Sequence, residues 1–341
     1  MFFAVYSSSV LMHSLQAPAI SLLIALCFSY FLTPWVRKLA IQQGVVDDPK
    51  QDDRRVHTEP TPRWGGLAIY AGLVLSTLLT CLIRGVHIAS YMWGILLITS
   101  ILMVVGALDD LYQYKAKVQA LVLLMAGVAI QFFNDGVKNA QVQIVGFDVP
   151  MSANYVYLGL LAIPLTAIYI FVVTKTMDTI DGIDGLTAGI ATIAAATLTV
   201  IAVYEGQGRV AIMTGATCGA SLGFLRHNYN PAKIFMGTGG AYVLGFTLAC
   251  LSVVGTLKTA AAAAIFMPLL IFGLPIVDAI VVVIKRIRSG SPITQADKRH
   301  FHHGLLARGL SQRQTVAVLY TAAAILCVIG LLLIRVFGNH K

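Results

Sequence analysis

The sequence has 341 residues, of which 57% are hydrophobic and only 11% charged, and its mean hydropathy is +0.80. That balance excludes an ordinary soluble domain and places the chain among polytopic membrane proteins. A net charge of +9 on a soluble protein would point to nucleic acid. Here orientation in a bilayer accounts for it, and no nucleic-acid partner is implied.

No Lys or Arg precedes Arg37, so residues 18–36 read as a retained first span; a cleaved leader would begin with a basic stretch. Further apolar stretches lie near 65–84, 91–108, 116–133, 156–174, 186–204, 209–225, 241–257, 259–284 and 315–336. Each is close to the roughly 17–25 residues that a helix needs to cross a bilayer. The predicted fold is therefore all-α: one integral membrane domain, residues 1–341, with about ten transmembrane helices. Pro268 and Pro275 should kink or break the ninth. Cys27, Cys81, Cys218, Cys250 and Cys327 sit in apolar runs without metal or redox spacing, which makes them helix-packing residues. Segment 134–155 alternates around Gly146 and predicts a small hairpin.

Charge orients the spans. The loops after spans 1, 3, 5, 7 and 9 hold 18 of the 24 Lys and Arg residues, which puts them in the cytoplasm and both termini outside. They also hold 12 of the 15 acids, counting Asp278. Anionic lipid attracts only the bases, so the acids point to a polar site at the cytoplasmic surface.

In the first of these loops, Arg54, Arg55, His57 and Arg63 are suited to phosphate, or form a plain positive-inside cluster. The second carries Asp109 and Asp110, adjacent acids that need cations. Either Lys115 and Lys117 supply them, or one aspartate binds metal or acts as base while the other orients it. The third is the sharpest signal: Asp178, Asp181 and Asp184 stand three residues apart, with Gly182 and Gly185 behind the last two. An aspartate within a membrane costs roughly 2.5–3.5 kcal/mol at the helix centre, so the triplet belongs at an edge or wet cavity. A divalent cation shared with a phosphate would neutralise it; a solvated acidic loop is the alternative. The fourth loop places Gly237, Gly239 and Gly240 before span 8, as an anion-binding nest would require, with Tyr229 and Phe235 able to stack a base or anchor the interface. No Walker A pattern occurs. In the fifth, His300, His302 and His303 lack cysteine neighbours and structural-zinc spacing, so phosphate handling is the better reading. Asp278 reads as a separate intramembrane acid, structural or gating, paired with a cation from a neighbouring helix.

Together these motifs resemble the polyprenyl-phosphate N-acetylhexosamine-1-phosphate transferases, membrane enzymes that begin bacterial cell-envelope glycan synthesis. The likeness runs from Arg54-Arg55-Val56-His57 to His300-Phe301-His302-His303, and the histidine loop is similar to the branch using UDP-N-acetylglucosamine. The resemblance implies attack by polyprenyl (undecaprenyl) phosphate on a UDP-N-acetylhexosamine, giving a lipid diphospho-sugar and UMP. It further implies Mg2+ as cofactor, with Mn2+ as the alternative ion, a cytoplasmic active site in the inner membrane, and a homodimer as a frequent state. By motif, Asp109, Asp110 and Asp181 fall to catalysis, Asp184, Asn228 and Phe235 to the nucleoside, and His300, His302 and His303 to phosphate. Arg54, Arg55, His57 and Arg63 are further substrate-binding candidates.

Three positions depart from the family pattern. The chain has Thr238 where an aspartate metal ligand is usual, and Asp178 and Lys175 where asparagines are usual. Asp178 and Thr238 are therefore the expected metal pair, with the carboxylate exchanged across the ion. A secondary transporter, or a catalytically weak homologue serving as an assembly subunit, are the alternative functions. Against the first, the ionisable groups gather at one membrane edge and no internal repeat is visible.

Overall fold

The computed structural model describes residues 8–48, 59–134, 141–148, 155–255, 269–292 and 299–337. Arg54, Arg55 and His57 lie outside them, as do residues 259–268 of the expected ninth span. The helices are α1 (Ser8–Gln42), α2 (Gly66–Arg84), α3 (Ser90–Tyr112), α4 (Ala116–Ala129), α5 (Ala162–Thr179), α6 (Leu186–Tyr204), α7 (Gly208–Asn228), α8 (Gly237–Gly255), α9 (Gly273–Arg288), α10 (Phe301–Ala307) and α11 (Gln312–Phe337). Two 3-10 turns (Ile130–Phe132 and Gly159–Leu161) and two short antiparallel pairs complete the described elements: β1 (Val46–Asp47) with β2 (Thr61–Pro62), and β3 (Gly146–Asp148) with β4 (Tyr155–Tyr157). The second pair is the hairpin expected around Gly146.

The chain is a multi-pass helical membrane protein. Among the described residues seven helices, rather than ten, are long and apolar enough to cross a membrane: Ser14–Gln42, Gly66–Arg84, Ser90–Tyr112, Gly159–Thr179, Leu186–Tyr204, Gly237–Gly255 and Gln312–Leu333. The other three expected spans differ for separate reasons. Stretch 116–133 forms only α4 and a 3-10 turn. Stretch 209–225 forms α7, whose many Gly, Ser and Thr residues dilute its hydropathy. Stretch 259–284 starts outside the described residues and continues as α9. The helix break expected near Pro275 falls at Phe272, and Pro275 occupies the first turn of α9, where a missing N–H is harmless.

At the centre lies α8, buried continuously from Gly239 to Gly255 and packed on α3 and α5. Around it α1 packs on α7 and α2, α7 on α6, α4 on α5, and α11 on α6. Small residues permit these approaches. Gly215, Gly219 and Gly223, one turn apart on α7, meet the backbone of Pro18, Leu22 and Leu26 so closely that a Cβ would strike each carbonyl. Lipid offers helices no hydrophobic reason to associate, so close van der Waals contact must hold them together. Buried hydroxyls such as Thr166, Thr174, Thr214 and Thr217 bond the carbonyl one turn back, which satisfies them within their own helix. Leu23, Phe31 and Trp35 of α1 are exposed, as a lipid-facing surface allows.

Candidate active site

The C-terminal ends of α3 and α5, the α5–α6 loop, the N-terminus of α8 and the histidine helix α10 converge. Glycines let the backbones close on one another here. A Cβ on Gly66 would run into Gly240, and one on Gly106 into Gly239, so α2 and α3 press directly on the first turn of α8. The strip after β2 is held on the other side: the Phe235 N–H donates to Pro62 O at 2.8 Å, and the Gly65 N–H to Phe235 O at 2.9 Å.

Asp110 ends α3 beneath that first turn. Its Oδ1 accepts the Thr238 N–H at 3.1 Å and lies 3.9 Å from Arg63, whose other guanidinium nitrogen is 2.5 Å from Asp47 Oδ1. The β1–β2 pair sets this geometry by placing Asp47 beside Arg63. Asp110 Oδ2 is buried without a partner. The neighbouring Asp109 is fully engaged: Tyr114 N–H donates to Oδ1 at 2.9 Å, and Gln119 Nε2 to both oxygens at 2.9 and 3.0 Å. Adjacent acids on one helix end thus differ in kind. One is tied down, and the other keeps a free oxygen.

From Gln119 the network continues to Lys175 Nζ, which donates to Gln119 Oε1 at 2.7 Å and to Asp178 Oδ2 at 2.6 Å. Asp178, an expected metal ligand, therefore carries an ion pair with Lys175. Thr238, its expected companion, contributes its backbone N–H to Asp110. Among the described residues no three His, Cys, Asp or Glu side chains lie close enough together to enclose a metal ion.

The turn after α5 brings Asp181 within electrostatic reach of Asp178, Asp184 and Arg63. Although Asp181 keeps some contact with solvent, the surrounding protein desolvates it. Burial, with the Asp178 charge adding to the rise, pushes its carboxyl up to about 7. Asp184 is buried, and its Oδ2 accepts Asn230 Nδ2 at 2.9 Å and the Ala232 N–H at 3.0 Å. Asn228 is used in the same way: Oδ1 accepts the Gly185 N–H at 3.1 Å and Nδ2 donates to Ile234 O at 3.0 Å. It clasps the acidic turn to the 230s segment, whereas the sequence pointed to nucleoside contact. Gly185 sits at φ +82°, where a side chain is strained, and Tyr320 fixes its carbonyl at 2.5 Å.

The histidine helix meets the same turn. A Cβ on Gly182 would lie 2.6 Å from His302 Nε2, so the imidazole rests against the acidic loop. His302 is 3% exposed, its Nε2 has no partner, and its ring stacks on His300 at 5.6 Å and meets His303 at a tilt at 4.3 Å. Burial, reinforced by the neighbouring His303 and His300 charges, lowers its pKa to about 3, so His302 is neutral at ordinary pH.

Asp278 is not a separate acid. Its Oδ2 lies 2.6 Å from His300 Nδ1, and its Oδ1 accepts the Phe301 N–H at 2.7 Å. The sequence signal was an acid in an apolar helix, which must find a partner; that the partner stood 22 residues on in a loop was not legible. Gln119, Lys175 and Asn230 were not expected as site residues: Lys175 stood out only as a departure from the family pattern, and nothing singled out the other two.

The sequence of the chain is similar to that of known proteins. Residues 92–256 fit the family model described as glycosyl transferase family 4. A Bacillus subtilis (strain 168) protein named probable undecaprenyl-phosphate N-acetylglucosaminyl 1-phosphate transferase is 37% identical over 314 residues, covering 92% of this chain and 84% of its own. The chain belongs to this transferase family. A Mycolicibacterium smegmatis decaprenyl-phosphate N-acetylglucosaminephosphotransferase is 31% identical over 87% of this chain and 77% of its own. An Escherichia coli O157:H7 undecaprenyl-phosphate alpha-N-acetylglucosaminyl 1-phosphate transferase is 26% identical over 87% of this chain and 79% of its own.

Proposed function

We propose that the protein transfers N-acetylglucosamine-1-phosphate, or a related N-acetylhexosamine-1-phosphate, from a UDP-sugar to polyprenyl phosphate. The observation that carries this is the gathering at one end of a membrane bundle of Asp110, with its unpartnered Oδ2, and the Asp181–Asp184 turn, which share Asp178 and Arg63 as charged neighbours, with the His302 ring resting on that turn. In the reaction a lipid phosphate oxygen forms a bond to the sugar-linked phosphorus. The bond from that phosphorus to the bridging oxygen breaks, and UMP leaves. Positioning and charge stabilisation carry such a transfer, since little covalent chemistry falls to the protein.

Each group has a role that its partners allow. Asp109 is orienting, because both its oxygens are engaged. Asp110 faces the reacting phosphates with its free oxygen. His302, neutral and unpartnered at Nε2, offers a hydrogen bond to phosphate without adding charge. Asp278 holds His300 in one orientation, and Arg63 supplies a cation beside Asp110. Asn228 and Asp184 shape the turn, while half-buried Phe235 is held by its backbone between Pro62 and Gly65.

The donor set suits Mg2+. The hard oxygens of Asp110, whose Oδ2 is unpartnered, and of Asp178, within electrostatic reach of it, would hold it, completed by water and substrate phosphates, as this ion prefers, and Mn2+ would replace it. When bound, the ion supplies charge neutralisation at the diphosphate. The lengths of the apolar stretches favour about ten spans, and the positive-inside bias favours both termini outside and this site facing the cytoplasm, as in an inner-membrane enzyme. The test is to incubate purified protein with polyprenyl phosphate, Mg2+ and a panel of UDP-sugars and to measure UMP. UMP release that needs the lipid phosphate and is fastest with UDP-N-acetylglucosamine is expected; release without lipid, or none from any UDP-sugar, overturns the proposal.

A further inference from the structure

We infer that Lys175 is a resident cation of this site: its ammonium neutralises Asp178 and gives an incoming phosphate a positive partner before any divalent ion binds. The inference rests on the phosphosugar-transfer reading and deepens it.

Three observations carry it. First, Lys175 Nζ is held between Asp178 Oδ2 at 2.6 Å and Gln119 Oε1 at 2.7 Å, with the Tyr242 ring centroid 6.0 Å away. An ammonium has three N–H donors, and these contacts use two, so one remains for an anion. Second, the pair sits at the acid cluster. Through Gln119 the ammonium is one residue from Asp109, and Asp109 and Asp178 both act electrostatically on Asp110. Third, Tyr242, fully buried on α8, keeps an unpartnered hydroxyl within electrostatic reach of Asp178, Asp109 and Asp110. A buried polar group left open beside a fixed cation is what a polar ligand would complete.

A plain structural ion pair is the competing account. The side chains of Lys175 and Asp178 are 27% and 17% exposed, and a partly exposed pair three residues apart on a helix end contributes little to stability. The two accounts separate on metal and ligand binding. If Lys175 neutralises Asp178, removing the ammonium frees a carboxylate beside Asp109 and Asp110, and a divalent ion should bind more tightly. Removing the ammonium should also weaken anion binding when no metal is present.

The experiment uses the full chain in detergent with Lys175→Met, Lys175→Arg and the double variant Lys175→Met/Asp178→Asn. Mn2+ affinity is read by electron paramagnetic resonance without substrate, and UMP affinity by calorimetry in excess EDTA. Lys175→Met is expected to bind Mn2+ about tenfold more tightly and metal-free UMP about tenfold more weakly, the scale of one nearby unit charge in a partly solvated site. Lys175→Arg should stay within about threefold of the parent in both. The double variant should lose UMP affinity without gaining Mn2+ affinity, and it leaves no unpaired charge to unfold the protein. Unchanged Mn2+ and UMP affinities in Lys175→Met and in the double variant overturn the inference. Absence of UMP release by the parent protein would instead overturn the transfer reading, while the substrate-free Mn2+ measurement still decides whether Lys175 competes with metal.

Discussion

Gly237 is where the fold and the candidate chemistry are most tightly coupled. It opens α8 at φ +73°, and a Cβ there would press on Asp110 Oδ2. For Gly237→Ala the left-handed backbone costs about 1–2 kcal/mol. Displacing Asp110 also puts at risk the 3.1 Å bond from the Thr238 N–H, and a hydrogen bond to a charged group contributes about 1.5–3 kcal/mol. The expected destabilisation is therefore about 2.5–5 kcal/mol, with UMP release reduced at least tenfold. Denaturant unfolding in mixed micelles measures the first and a UMP assay the second. The decisive arm is a double-mutant cycle with Asp110→Ala. In that background only the backbone strain remains, so Gly237→Ala should cost at least about 1 kcal/mol less than in the parent. A variant that unfolds like the parent, or that costs the same with and without the Asp110 carboxylate, refutes the coupling.

Two further outcomes follow from buried groups. His302, near pKa 3 when folded, takes up its proton near 6.5 when unfolded, so its effect is nil above about pH 6.5 and stability is lost as pH falls towards 3. At pH 5.5 the loss is about 1.4 kcal/mol, and thermal melting at pH 7.5 and 5.5 should show a smaller difference in His302→Gln than in the parent. Asp278→Asn removes the charge from the His300 pair while keeping the Phe301 N–H acceptor; turnover should fall tenfold to a hundredfold with the UDP-sugar KM changed less than threefold, which steady-state kinetics checks.

Much of the site was legible in the sequence because a membrane makes polar residues conspicuous: each acid or histidine near an apolar span had to have a reason. The ends of α3 and α5, the 180s turn and the histidine helix were all found that way, and the structure brings them together. Partnership was not legible. Nothing local to Asp278 names His300, and nothing local to Lys175 names Gln119, because these pairs close only when separate helices pack. Among the described residues seven of the ten expected spans have the length and hydropathy of a membrane-crossing helix. The helix α7 packs through glycines and hydroxyls that lower its hydropathy, so length suggested a span where composition alone falls short.

The difference between Asp109 and Asp110 can be tested by reversing the polarity of the network that separates them. In the parent, Gln119 gives its NH2 to Asp109 and its carbonyl to Lys175. Asp109→Asn turns one acceptor into a donor, so Gln119 must either face NH2 against NH2 or rotate and present its NH2 to the Lys175 ammonium. Each choice loses about one hydrogen bond to a charged group, about 1.5–3 kcal/mol, and turnover should drop roughly tenfold to a hundredfold. Adding Gln119→Glu supplies a carboxylate that accepts from both the introduced amide and Lys175, and the pair of changes keeps the net charge. If Asp109 serves only to orient, the double variant recovers most of the lost turnover in the UMP assay. If Asp109 itself handles the lipid phosphate, moving its charge to residue 119 restores nothing, and the assignment of the free acid to Asp110 fails.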